Sequence, residues 1–120
     1  MITQSKKDGL WGEVLVSRWY RDRKYCVETA NFRTRLGEID LILKKKNLLV
    51  FCEVKTRRKA WEQLPREAVD AHKQRRLMNT ALQYIARIGY QGPFRFDVAE
   101  VLLDDNGGHT INVIENAFEA

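Results

Sequence analysis

Gly37-Glu38-Ile39-Asp40-Leu41-Ile42, followed by Leu49-Val50-Phe51-Cys52-Glu53-Val54-Lys55, is the stretch on which the reading of this 120-residue chain turns. From Glu38 to Lys44 polar and apolar residues alternate with a period of two, as on a half-buried strand. Leu48 to Arg57 is nearly continuous in apolar residues through Cys52, as a central strand covered on both faces would be. Asp40 and Glu53 are acids set among strand-forming apolar residues, where an unpaired carboxylate is costly to bury. A two-residue turn at Lys46-Asn47, with Asn47 left-handed, joins the strands as a hairpin. Asp40 then faces Glu53 and Glu38 faces Lys55, with Cβ atoms about 4.5–5.5 Å apart.

Like charges so placed repel. A hard divalent cation between them turns repulsion into coordination, because Mg²⁺ accepts one or two carboxylates and leaves its other positions to water and phosphate. Lys55, two residues beyond Glu53, projects to the same side of an extended strand. Its ammonium there can orient or help deprotonate an attacking water. A three-residue turn would instead set Asp40 opposite Cys52 and send Glu53 to the other face. The plainer alternative is a solvated strand on which Glu38 and Lys55 simply pair.

Outward from this hairpin, Gly9 to Lys24 carries Leu10, Trp11, Val14, Leu15, Arg18 and Trp19 at spacings of three and four, an amphipathic helix with Asp8 as its cap. Tyr25 to Arg35, rich in β-branched and aromatic residues, reads as a strand. Arg58 to Pro65 reads as a connection, with Pro65 able to open a helical turn. From Asp70 to Ile88 a helix carries Ala71, Leu77, Met78, Ala81, Leu82, Ile85 and Ile88 on one face, and Gly89 is its left-handed stop. Phe94 to Leu103 and Thr110 to Ile114 are two more strands, joined by the turn Asp104-Asp105-Asn106-Gly107-Gly108. The expected fold is α/β, a mixed sheet of about five strands flanked by two main helices, in a single domain over residues 1–120.

The net charge of +5 is local: residues 44–76 hold eleven Lys/Arg against four Asp/Glu, and residues 77–120 are net acidic. A concentrated positive patch suits a polyanion, because each neutralised phosphate releases counterions; a merely solvated face has the same composition. Two cysteines, Cys26 and Cys52, read as reduced core thiols, too few for a disulfide framework and without zinc-ligand spacing. No stretch approaches the roughly 20 apolar residues that span a bilayer, and MITQSKKDG lacks the apolar run of a signal peptide, so a cytoplasmic location is expected.

GEIDLI, the spacing from Asp40 to Glu53 and the closing EVK resemble the signature of the PD-(D/E)xK, restriction-endonuclease-like nucleases. Most of the chain resembles, more closely, the YraN-like family of uncharacterised bacterial proteins, which is similar to archaeal Holliday-junction resolvases. The resemblance runs from Gly12-Glu13 through Asn31, GEIDLI, LVFCEVKTR, Pro65, Ala68-Val69 and Lys73 to Arg95-Phe96-Asp97-Val98 and Ala117-Phe118. It implies a restriction-endonuclease-like core, with Asp40, Glu53 and the Val54 carbonyl as ligands of Mg²⁺ or Mn²⁺. It further implies Lys55 as the catalytic lysine and Glu13 as a first-helix acid assisting the metal. Ile39 stands where the superfamily signature has proline.

Arg57, Arg58, Lys59, Lys73, Arg75 and Arg76 are expected to contact phosphates, positioning DNA without reading its sequence. Trp61 either packs on the sheet, as large aromatics mostly do, or stacks on an unpaired base; His72 is a surface or phosphate contact rather than a base. The leading expectation is a metal-dependent DNA endonuclease acting on phosphodiesters, branched or distorted DNA included, with a homodimer by analogy to resolvases. The alternatives are a non-catalytic nucleic-acid-binding or assembly module on the same fold and, from basic charge alone, a protein-interaction or RNA-processing factor.

Overall fold

In a computed structural model of the chain, residues 2–59 and 69–119 are described; Trp61 and Pro65 lie outside them. The element order is α1 (Gln4–Asp22), β1 (Cys26–Thr34), β2 (Gly37–Lys45), β3 (Leu48–Arg58), α2 (Ala71–Ile88), β4 (Phe94–Leu103) and β5 (His109–Phe118). The five strands form one mixed sheet in their sequence order. Only β3 and β4, joined through α2, run parallel; the other neighbours are antiparallel. The nearly continuous apolar run of β3 thus marks the central strand, as its sequence requires.

Alternation along β3 sorts its side chains between two cores. Val50 and Cys52 face α1 with Leu15, Val16, Tyr20, Leu41 and Leu43. Leu49 and Phe51 face α2 with Ile42, Leu77, Ala81 and Tyr84. The helices therefore cover opposite faces of the sheet. Each fully buried aliphatic or aromatic side chain stabilises this sandwich by roughly 1.5–3 kcal/mol.

Several expectations about the helices are corrected. α1 begins five residues before Gly9, and its cap is Thr3, whose Oγ1 accepts from the Lys6 amide at 3.2 Å. Asp8 lies inside the helix and is buried. Its carboxylate takes two hydrogen bonds from Arg58, Nε–Oδ2 2.7 Å and Nη2–Oδ1 2.9 Å, and one from Gln4. The buried face of α1 comprises Asp8, Gly12, Leu15, Val16, Ser17 and Tyr20, while Leu10, Trp11 and Val14 are exposed. On α2, Thr80 and Tyr84 join Leu77 and Ala81 inside, whereas Leu82 and Ile88 face out. Gly89, with φ 69°, ends that helix as expected. Cys26 is exposed on the edge strand; only Cys52 is a core thiol. β5 runs to Phe118, four residues past the expected end.

Gly12 sets how closely α1 approaches the sheet. A Cβ there would lie 1.9 Å from Thr56 Oγ1, so only glycine lets the helix backbone rest on β3 at this height. A second clamp is polar. Asp97, buried on β4, accepts from Tyr20 Oη at 2.6 Å, from Arg95 Nε at 2.9 Å and from the Asn116 amide at 3.0 Å. Arg95 also donates to Tyr25 Oη at 3.0 Å. These bonds fasten the end of α1 to β4 and to the bulge in β5.

Gly12→Ala should cost roughly 1–3 kcal/mol, as overpacking does, and Thr56→Ala should restore part of that loss. Denaturant unfolding of the two single variants and the double variant measures both effects. The hydrogen bonds from Arg58, with help from Gln4 and the Arg58 charge, outweigh burial and hold the Asp8 carboxyl below its ordinary range. A lowered folded pKa contributes stability above the ordinary carboxylate range, and that stability is lost as pH falls through the folded value. The thermal stability advantage of the native chain over Asp8→Asn should therefore shrink as the pH falls below the ordinary carboxylate range.

Candidate functional site

The hairpin β2–β3 has the register anticipated from the sequence: its pairs run from Lys45↔Leu48 to Leu41↔Cys52, so Asp40 and Glu53 occupy the next opposed positions. Lys46, with φ 55°, takes the left-handed position at the turn, a role the sequence suggests for Asn47. Paired backbone contact between the two strands ends at Leu41↔Cys52. One step further, the Val54 amide donates to Asp40 Oδ2 at 2.7 Å, so a side chain replaces the ladder.

The expected strict alternation of β2 fails at the same point. Leu41 and Leu43 belong to the α1-side core, but Ile39 joins Ile42 on the α2 side. The parity of the strand changes across Asp40. On β1, Asn31 sits between the pairs Ala30↔Leu41 and Phe32↔Ile39, hence across from Asp40, with φ 55°. Asparagine tolerates that conformation better than most residues. Two adjacent strands are thus irregular at one level, and Asp40 is turned toward β3 there.

Around Asp40 the structure gathers acids from three elements. Burial, then the charge of Glu53, then those of Glu13 and Glu38, push the Asp40 carboxyl up to about 7 against the opposing Val54 hydrogen bond. Glu13, the residue after the Gly12 contact on α1, is also raised, first by burial and then by Glu38 and Glu53, although a hydrogen bond with Asn31 opposes this. Glu38 pairs with Arg33 across β1–β2 at 3.0 Å. Glu53 points to the α2 side, where Lys73 Nζ lies 2.9 Å from its Oε1. Burial lowers the pKa of Lys73, but the hydrogen bond and charge of Glu53, contact with Lys55 and the charge of Asp40 raise it by more. Lys55 is thereby placed beside Lys73 and Glu53, on the side of the strand expected for it.

The basic residues divide by strand parity. Val54, Thr56 and Arg58 point to the α1 face, and Arg58 is committed to Asp8, with Asp105 a further 3.7 Å neighbour. It has a structural use in tying β3 to α1. Arg57 has the parity of Glu53 and Lys55. Arg76 Nε donates to Leu36 O at 3.2 Å. Lys59 and Arg75 are exposed, as is His72. The sequence reading missed the Lys73–Glu53 pair and the part played by Glu38. It noted Asn31 without seeing its use, although an asparagine within a strand-like run is itself a signal of an irregular backbone.

The donor set suits a hard cation. Among the described residues no group of three or more His, Cys, Asp and Glu side chains forms a ready metal cage. Mg²⁺ does not need one, since one or two carboxylates and water suffice. Burial first, and then neighbouring carboxylates, raise both Asp40 and Glu13, and the second of these causes is the one that a nearby cation relieves.

Residues 12–101 match the model of an uncharacterised protein family, UPF0102. A UPF0102 protein of Alkaliphilus metalliredigens (strain QYMF) is 44% identical over 115 residues, covering 95% of this chain and 99% of the relative. One of Clostridium botulinum (strain 657 / Type Ba4) is 40% identical over 118 residues, 96% of each chain. No helix among the described residues is long and apolar enough to cross a membrane.

In cation-free protein, carboxyl NMR should find Asp40 titrating at about 7, and Glu53→Gln should lower that midpoint by removing a like charge. Because the folded value is raised, the contribution of this group to stability is full below the ordinary carboxylate range and lost as pH rises through about 7. Asp40→Asn should abolish that loss, as read from thermal unfolding against pH.

Proposed function

This chain belongs to the uncharacterised UPF0102 family, and from that premise and the geometry of its acidic cluster we propose that it is a metal-dependent DNA endonuclease that hydrolyses phosphodiesters, with branched or distorted DNA among its substrates. The observation that carries this reading is the convergence on Asp40 of Glu13, Glu38 and Glu53, with Lys73 on Glu53 and Lys55 beside it. The charges of Glu53, Glu13 and Glu38 each oppose ionisation of Asp40, a cost that a bound cation would offset.

Asp40, Glu53 and the Val54 carbonyl would hold Mg²⁺ or Mn²⁺, which when bound supplies charge neutralisation at phosphate and acidifies water. The work of the protein is orientation. The Val54 amide fixes the Asp40 carboxylate, and Asn31 holds Glu13 toward the same cluster. Lys55, on the strand side of Glu53, is placed to orient the attacking water or accept its proton at Nζ, and its charge offsets that of the pentacovalent phosphate. Lys59 and Arg75, exposed on β3's continuation and on α2, would position the backbone of DNA. Scission of two strands would call for two such sites, as a homodimer provides.

The second reading, a non-catalytic DNA-binding or assembly module, is favoured by one observation: Glu53 already has an internal cation, Lys73. Calorimetric titration separates the two, since a module of this kind binds DNA without metal and has no Mn²⁺ site that Asp40→Asn removes.

Purified protein should cleave a four-way junction, a duplex or single-stranded DNA with Mg²⁺ or Mn²⁺, and Asp40→Asn or Glu53→Gln should lower the rate by about 100-fold or more. Arg58→Ala should reduce thermal stability, whereas Arg75→Ala should weaken DNA affinity without regard to sequence. Absence of cleavage on every DNA form would contradict the endonuclease reading.

A further inference from the structure

Lys73 occupies the first turn of α2, where unpaired backbone N–H groups carry partial positive charge and cations are disfavoured. The turn contains no acid, and Arg75 and Arg76 follow. Helix chemistry therefore does not account for a lysine here. Its backbone is pinned, since Asp70 Oδ1 accepts from the Lys73 amide at 2.8 Å. Its side chain crosses to β3 and meets Glu53, whose side chain is only 12% exposed. A nearly buried acid next to Asp40 is thus neutralised from a different element of the fold.

We propose that Lys73 is an internal counter-cation of the carboxylate cluster, a positioning residue that holds Glu53 in place and competes with a divalent cation for it. The proposal rests on the cation-site reading above. Glu53 would divide its charge between two positive partners, and repulsion between the Lys73 ammonium and a divalent cation held by the same carboxylate would weaken the hold of each. The Lys73 amine, so loosened, would be available to an anionic substrate.

Calorimetric titration of Mn²⁺ into the native chain, Lys73→Met, Lys73→Arg and, as the control that removes the site, Asp40→Asn tests this, with thermal unfolding showing each variant folded and Lys73→Gln standing in for Lys73→Met should that variant not fold. Lys73→Met should bind Mn²⁺ roughly two- to fivefold more tightly, the range expected on removing a partly exposed competing charge. Lys73→Arg, which keeps the charge, should behave like the native chain. Mn²⁺ binding by Lys73→Met alone would also support the competition. Equal or weaker affinity in Lys73→Met, with binding still abolished by Asp40→Asn, would overturn the counter-cation role and leave the cation site standing. Failure of all the proteins to bind would overturn both.

Discussion

The hydrogen bond from the Val54 amide to Asp40 is the point at which this sheet stops being only a sheet. Up to Leu41↔Cys52 the two strands satisfy each other through backbone groups. Just beyond it the half-buried Val54 amide still needs an acceptor, and a carboxylate supplies it at 2.7 Å. The exchange releases the β2 backbone from β3, accommodates the change of parity across Asp40, and fixes the carboxylate at the level where α1 and α2 each deliver a charged side chain. Glu13 reaches this level only because Gly12 lets the helix rest on Thr56. Sheet irregularity and helix height are therefore one device with two parts.

Asp97 shows what a purely structural solution to the same problem looks like. It also accepts from the backbone amide of a neighbouring strand, Asn116, beside a bulge. There the remaining partners are Arg95 and the Tyr20 hydroxyl, so the carboxylate is both bonded and neutralised. A buried ion pair of this kind adds little net stability, but removing one partner is costly. Asp40 has the same kind of backbone bond and the opposite electrostatic company. The contrast between two aspartates in one sheet, one compensated by Arg95 and one crowded by acids, separates a carboxylate that holds the fold together from one whose charge the fold opposes.

Much of this was legible in the residues. Apolar continuity identified β3 as central, and the short turn set the register that brings Asp40 level with Glu53. The positions of the helices followed from periodicity, but the buried face of α1 did not. Leu10, Trp11 and Val14 outscored Asp8, Gly12 and Ser17 on hydrophobicity, and yet close backbone approach at Gly12 and the Arg58 pair at Asp8 decided which face turned inward. The break at Asp40 was hidden because Leu41, Ile42 and Leu43 are all apolar and buried, a run that satisfies either parity. The pairing of Lys73 with Glu53 lies further still beyond pattern, since it joins residues of different elements across an intervening segment.

Charge along the basic segment is not one patch put to one use. Parity sends Arg58 to the α1 face, where it is consumed by Asp8, and sends Lys55 to the face of Glu53. Arg76 is turned to the Leu36 carbonyl beyond the β1–β2 turn. Counting lysines and arginines therefore overstates the surface that can meet a polyanion, because some of those charges close the fold and others balance the acids inside it. Lys59 and Arg75 stay exposed, one just past the end of β3 and one on α2, the strand and helix that carry Glu53 and its partner Lys73. Exposed basic residues and buried acids are in this way borne by the same two elements, so parity along β3 and the facing of α2 sort charge between surface and interior.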